Sequence, residues 1–269
     1  MAAPSSRETI GVRALVGDAY RLLFTRWRAW IIAMTLPALL DVLVRVAFQQ
    51  AYRPPLFSPR SLTETTDLHF LLHSLALMLT SVITSTLFAV TWHRVSLIGP
   101  SARAYLMPQV GPEHLRFAGA SLLLIAITVA IFRLGGLIVQ SGGTGGLIVL
   151  LGLVICATLY LRWSLVFPAA AIGAPCSFAQ SWRLTKGAGL TLFWSLLLGV
   201  IPIIIGALAA GGVLREILSI AGMPRLWTQL LVEALMSYLL LAIVIGIISA
   251  AYRRLAPGTV SREGDAHGT

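Results

Sequence analysis

An all-α membrane protein with six transmembrane helices, amphipathic interfacial elbow helices and both termini in the cytoplasm is predicted from three observations. Apolar residues make up 57% of the 269-residue chain and charged residues only 11%, against about 25% charged in a soluble domain. The apolar residues gather in runs of roughly 20, the length that crosses a ~30 Å hydrocarbon core. The basic residues gather between those runs. Mean hydropathy is +0.87, and too little polar sequence remains to cover such a core in water. The expected organisation is a tail at residues 1–8, one membrane domain at 9–255 and a polar tail at 256–269.

Residues 9–28 alternate Ile10, Ala14, Val16, Leu22 and Phe24 with Arg13, Asp18, Arg21 and Arg26. This pattern predicts an amphipathic helix in the membrane interface, apolar side down. The plainer reading is a helical extension packed on the protein itself. Nothing before the first apolar run, near Trp30, reads as a cleavable leader.

Span one is expected at residues 28–48, with Pro37 inside it, and Asp41 and Arg45 stand four apart on one face, where they can pair. A proline-rich polar loop follows. Span two is expected at 68–98, with a hydroxyl-rich middle of Thr80, Ser81, Thr84, Ser85 and Thr86. Those hydroxyls bond across helices or back to their own carbonyls, or else line a polar path. A connector at 99–117 reads as a second interfacial helix from Pro112 onward. Span three is expected at 118–140, a flexible SGGTGG turn at 141–146, span four at 147–172, span five at 188–213 with Pro202, a loop at 215–225 and span six at 226–252.

Six spans put both ends on one side, and arginine and lysine select which. Segments on the terminal side carry 13 of the 20 basic residues and segments on the opposite side carry 5, the other two being Arg133 and Arg162 within spans. Both termini are therefore expected in the cytoplasm. The formal net charge of +10 is read as topology-setting charge that meets anionic lipid, not as a nucleic-acid surface, since no aromatic-basic ladder accompanies it.

Charges inside spans each cost about 2.5–3.5 kcal/mol on insertion scales. Arg133, Arg162 and Glu233 stand out beside Asp41 and Arg45. Arg133 and Glu233 fall at similar depths, which predicts a pair between spans three and six. His69 and His73 share a helix face, but no third ligand has metal-site spacing. Cys156 and Cys176 suggest neither a disulfide nor a metal site. No nucleophile elbow, phosphate loop, dinucleotide fingerprint or carboxylate pair is present. No cofactor, no metal and no enzymatic reaction are expected.

Residues 161–192 read LRWSLVFPAAAIGAPCSFAQSWRLTKGAGLTL. A span carrying Arg162 and Trp163 stops at Pro168. A short amphipathic segment follows with Ser181, Trp182, Arg183, Thr185 and Lys186, and then the next apolar run begins. Such a layout suits an interface elbow between two spanning helices. The stretch resembles the bacterial proteins related to the membrane domain of glycerophosphoryl diester phosphodiesterase. Arg162, Trp163, Ser164, Leu165 and Pro168 match the first half of that pattern. Ser181, Trp182, Leu184, Thr185 and Gly187 match the second, and Tyr252-Arg253 fits its ending. In members that hydrolyse glycerophosphodiesters the chemistry belongs to a separate soluble barrel, for which this chain has no room. The resemblance implies a multi-pass protein of the bacterial inner membrane, near lipid or envelope metabolism, with structural or lipid-facing elbow residues.

Two functions are expected from these readings. One is a non-enzymatic scaffold whose partners are membrane phospholipids, other membrane proteins or a second copy of the chain. The other is a small transporter or permease with a polar path near spans two, four and six. They differ in one feature: a transporter has a polar cavity near the midplane touching Arg162 or Glu233, and a scaffold is closed and dry there.

Overall fold

The computed structural model describes residues 11–51, 68–99, 110–140 and 145–256. The predicted tails (apart from Ala256), residues 9–10 of the predicted amphipathic helix with Ile10, the proline-rich loop, the first half of the connector and most of the glycine turn lie outside the described residues. Among the described residues every regular element is a helix: α1 (Val12–Thr25), α2 (Trp27–Ala51), α3 (Leu68–Leu97), α4 (Pro112–Gln140), α5 (Gly145–Trp163), α6 (Val166–Ala171), α7 (Phe178–Leu184), α8 (Gly189–Ile220) and α9 (Arg225–Leu255). Five of these, α2, α3, α4, α8 and α9, are long and apolar enough to cross a membrane. The described residues are all-helical, and the chain is a multi-pass integral membrane protein.

Predicted spans two and six match α3 and α9 closely. Span four does not run to 172: α5 ends at Trp163. The cause is local. Pro168 has no N–H to bond the carbonyl of Ser164, so the ladder cannot continue, and the Ser164 hydroxyl donates back to the Leu161 carbonyl at 2.9 Å. The chain restarts as the short buried helix α6.

Two other boundaries differ. Residues from Pro112 do not form a separate interfacial helix; they are the first turns of α4, opened by proline at its first position and Glu113 in its first turn. The loop expected at 215–225 is mostly helix: α8 runs through Arg215 to Ile220, and the chain turns at Gly222 (φ 80°) before Pro224.

Helix α9 is the hub, packing against α1, α2, α3 and α8. Its Ile243, Ile247 and Tyr252 are fully buried with Leu15 of α1, Phe88 and Trp92 of α3 and Leu165 before α6. Polar links tie the end of the bundle that carries α1, α6 and α7, here termed the elbow end. Arg254 pairs with Asp18 at 2.7 Å, Arg253 donates to the Ser96 carbonyl at 2.6 Å, and His93 bonds Ser249 at 2.8 Å. Arg94 donates to the Ala171 carbonyl at 2.8 Å and pairs with Glu113.

Helix α1 packs on the protein itself, the plainer of the two readings, while Ala14 and Phe24 of its predicted apolar side stay exposed. Its apolar stripe, Leu15, Ala19 and Leu23, is buried against the bundle rather than turned to acyl chains. Ala19 sits over Gly246 of α9 so closely that a Cβ on Gly246 would lie 2.9 Å from the Ala19 Cβ. Tyr20 donates its hydroxyl to the Gly199 carbonyl of α8 at 2.9 Å. Amphipathicity fixes that one face is covered; it does not say whether lipid or protein covers it.

Candidate functional site

Two places hold the polar residues singled out in the sequence: the elbow after α5, and a cavity between α2, α3 and α9.

At the elbow, α5 ends with orphan carbonyls that need donors. Ser181, fully buried on α7, donates its hydroxyl to the Arg162 carbonyl at 2.7 Å. The Thr185 hydroxyl, also fully buried, lies 3.3 Å from that carbonyl and 2.9 Å from the Ser181 carbonyl. In return, the Arg162 guanidinium donates to the Thr185 carbonyl at 2.7 Å and lies over the Trp182 ring, 5.4 Å from its centroid. Trp163 packs on Phe178, with ring centroids 4.9 Å apart. Ser177 caps α7 by accepting from the Gln180 N–H at 3.1 Å. Gly187, at φ 85°, turns the chain into α8 in a conformation that favours glycine. Arg162, Ser181 and Thr185 are thus a mutual clamp, and Pro168 is buried behind them in α6. Trp182, beneath the Arg162 guanidinium, and Arg183 and Lys186 are exposed. Cys176 stands beside this elbow, and burial pushes its thiol pKa up, away from reactive thiolate.

The second place is a cavity of about 370 Å³, within the ~300–1,000 Å³ range of small-molecule sites. Asp41 and Arg45 of α2, Ser81, Thr84 and Ser85 of α3, and Glu233, Ser237 and Tyr238 of α9 line it, with aliphatic side chains between them. Asp41 is buried and accepts from the Arg45 Nε at 2.9 Å, so the predicted i, i+4 pair is made. The cavity is well inside the spans. At about 1.5 Å per residue, Glu233 is roughly 12 Å along α9, Asp41 about 15 Å from the end of α2, and Ser85 about 26 Å along α3. Towards the elbow end it is floored by aromatic rings. Tyr238 meets Phe88 edge-on at 5.1 Å, and Phe88 stacks on Trp92, whose indole N–H bonds the Ala242 carbonyl at 3.1 Å.

The expected partner of Glu233 is not there. Its carboxylate accepts from Gln229, one turn earlier on α9, at 2.8 Å, and no ion pair joins it to Arg133, which is exposed on α4. Depth along a helix fixes height but not neighbours, and α4 packs with α3, α5 and α6 instead of α9. Arg162 is likewise absent from the cavity, being committed to the elbow. His73 meets Phe48 edge-on at 5.0 Å; the His69 side chain lies outside the described residues.

One signal in the sequence was missed. Gln229, Glu233 and Ser237 follow at i, i+4 and i+8, and all three are exposed. That spacing makes one polar stripe along the far half of α9, and it forms part of the cavity wall. Neither a family model, nor a curated protein, nor a solved structure matches this chain.

Proposed function

We propose that the chain is a small, non-enzymatic transporter or permease that takes a polar solute into the cavity between α2, α3 and α9. The observation that supports this reading is the cavity itself: two carboxylates, a guanidinium and several hydroxyls converge around open space inside apolar spans. A glutamate exposed at that depth is costly against acyl chains and is tolerated where it faces water or a solute. The aromatic floor closes the elbow end, as in a carrier open to one side.

In this reading α5 is the sixth span. Its 19 residues reach roughly 28 Å, close to the thickness of the hydrocarbon core. Both termini then share a side, and the 13-to-5 basic bias makes that side the cytoplasm of a bacterial inner membrane. The resemblance of the elbow to the glycerophosphoryl diester phosphodiesterase membrane-domain proteins agrees with that location. A scaffold reading is favoured by a different observation: Trp182, Arg183 and Lys186 project from the elbow clamp, where they suit phospholipid head groups or a neighbouring protein.

Efflux separates the two. Proteoliposomes are loaded with a mixture of small sugars, amino acids, amines and organic anions, and retained contents are read by mass spectrometry. The transporter reading expects one solute class to leave wild-type vesicles and to stay in protein-free and Glu233→Gln vesicles. Equal retention of every class in all three sets would leave the scaffold reading.

A further inference from the structure

We propose that the solute taken by this cavity is a small organic cation with an ammonium head, held at Glu233. This rests on the transporter reading and deepens it. Three features of the wall carry it. First, the charges do not balance. Asp41 is matched by Arg45 at 2.9 Å, whereas Glu233 has no cationic partner among the described residues and is bonded only by the neutral Gln229 amide. The carboxylate left over is the one exposed to the cavity.

Second, two hydroxyls of the α3 wall spend their protons on their own helix. Thr84 donates to the Thr80 carbonyl at 2.9 Å and Ser85 to the Ser81 carbonyl at 2.6 Å. What they turn to the cavity is therefore lone pairs, which accept from an N–H donor. Third, the single guanidinium is poorly placed to invert this preference. Arg45 is already bonded through Nε to Asp41, and an anion drawn to its remaining nitrogens would approach two carboxylates. Tyr238, which lines the cavity, adds ring surface of the kind that suits an ammonium.

The test uses thiol reagents of opposite charge. Ser237→Cys is introduced into the full chain with Cys156→Ala and Cys176→Ala, in proteoliposomes. Two methanethiosulfonate reagents are compared, one ending in trimethylammonium and one in sulfonate. Each rate is divided by that reagent's rate on a free thiol in solution. The cationic reagent is expected to react on the order of tenfold faster or more. Adding Glu233→Gln should bring the ratio close to one, and Glu233→Asp should keep most of it. A sulfonate reagent that is equal or faster, or a ratio that survives Glu233→Gln, would overturn the cation assignment and leave a wet cavity standing. No reaction with either reagent would remove the transporter reading as well. Ser85→Cys on the opposite wall serves as the reporter if Ser237→Cys or Glu233→Gln does not yield folded protein.

Discussion

Replacing Gly246 with leucine is expected to detach α1 from the bundle. The space above Gly246 is filled by backbone: an added Cβ would stand 2.9 Å from the Ala19 Cβ and 3.1 Å from the Ala19 Cα. Neither atom can swing away, so the two helices must separate. Separation exposes Leu15, Ala19 and Leu23 and breaks the Asp18–Arg254 pair and the Tyr20–Gly199 bond. Gly246→Ala should cost about 1–3 kcal/mol through overpacking, and Gly246→Leu more, enough for α1 to become a target for limited proteolysis. Gly199 supplies the control. A Cβ there would meet the Cδ1 of Ile247 at 2.5 Å, the end of a side chain that can change rotamer, so Gly199→Ala should cost less. Thermal unfolding in detergent, with proteolysis of α1 as a second readout, checks both. A Gly246→Leu protein with wild-type stability and a protected α1 would show that α1 is not held by this contact.

The elbow clamp should divide residues that look alike in sequence. Arg162 and Arg183 are both arginines in the stretch 161–192. Arg162 bonds the Thr185 carbonyl and covers Trp182; Arg183 is exposed with no side-chain partner among the described residues. Arg162→Ala leaves a half-buried carbonyl without its donor and removes the cation from the indole. A loss of about 2–3 kcal/mol is expected. Ser181→Ala, which strips the 2.7 Å bond from the last carbonyl turn of α5, should cost about 1–3 kcal/mol. Arg183→Ala should stay within about 0.5 kcal/mol in detergent. Thermal stability of the three variants reads this directly. Equal losses at positions 162 and 183 would mean that the elbow is held by lipid contacts and not by the clamp.

What the sequence reveals follows from how local each feature is. The extents of α3 and α9 are written in hydropathy alone, because a span is a property of consecutive residues. That Asp41 and Arg45 can pair is legible for the same reason, four residues being about one turn of one helix; that they pair with each other and not with a neighbouring span is seen only in the structure. The end of α5 is announced by Pro168, whose missing N–H acts on its own chain. The Arg133–Glu233 pair fails because it needs to know which helices are neighbours, and hydropathy carries no such information. The covering of α1 fails likewise: its stripe shows that something apolar lies against it, and only the packing shows that this is α9. The cavity is intermediate. Ser81, Thr84 and Ser85 on one span and Gln229, Glu233 and Ser237 on another are each visible as polar stripes, but their meeting around Asp41 depends on three helices seen together.

The central claim is that the cavity between α2, α3 and α9 holds water at membrane depth. Ser85 and Ile83 test it within a single helix. They are two residues apart on α3, at nearly the same depth, with Ser85 on the cavity wall and Ile83 exposed on another face. Each is changed to cysteine in the chain carrying Cys156→Ala and Cys176→Ala, and labelled in proteoliposomes with an uncharged, hydrophilic, membrane-impermeant maleimide. Labelling at position 85 with none at position 83 is the predicted result. No labelling at 85, where an Arg183→Cys control at the exposed elbow position reacts, would mean a dry cavity and would contradict the account.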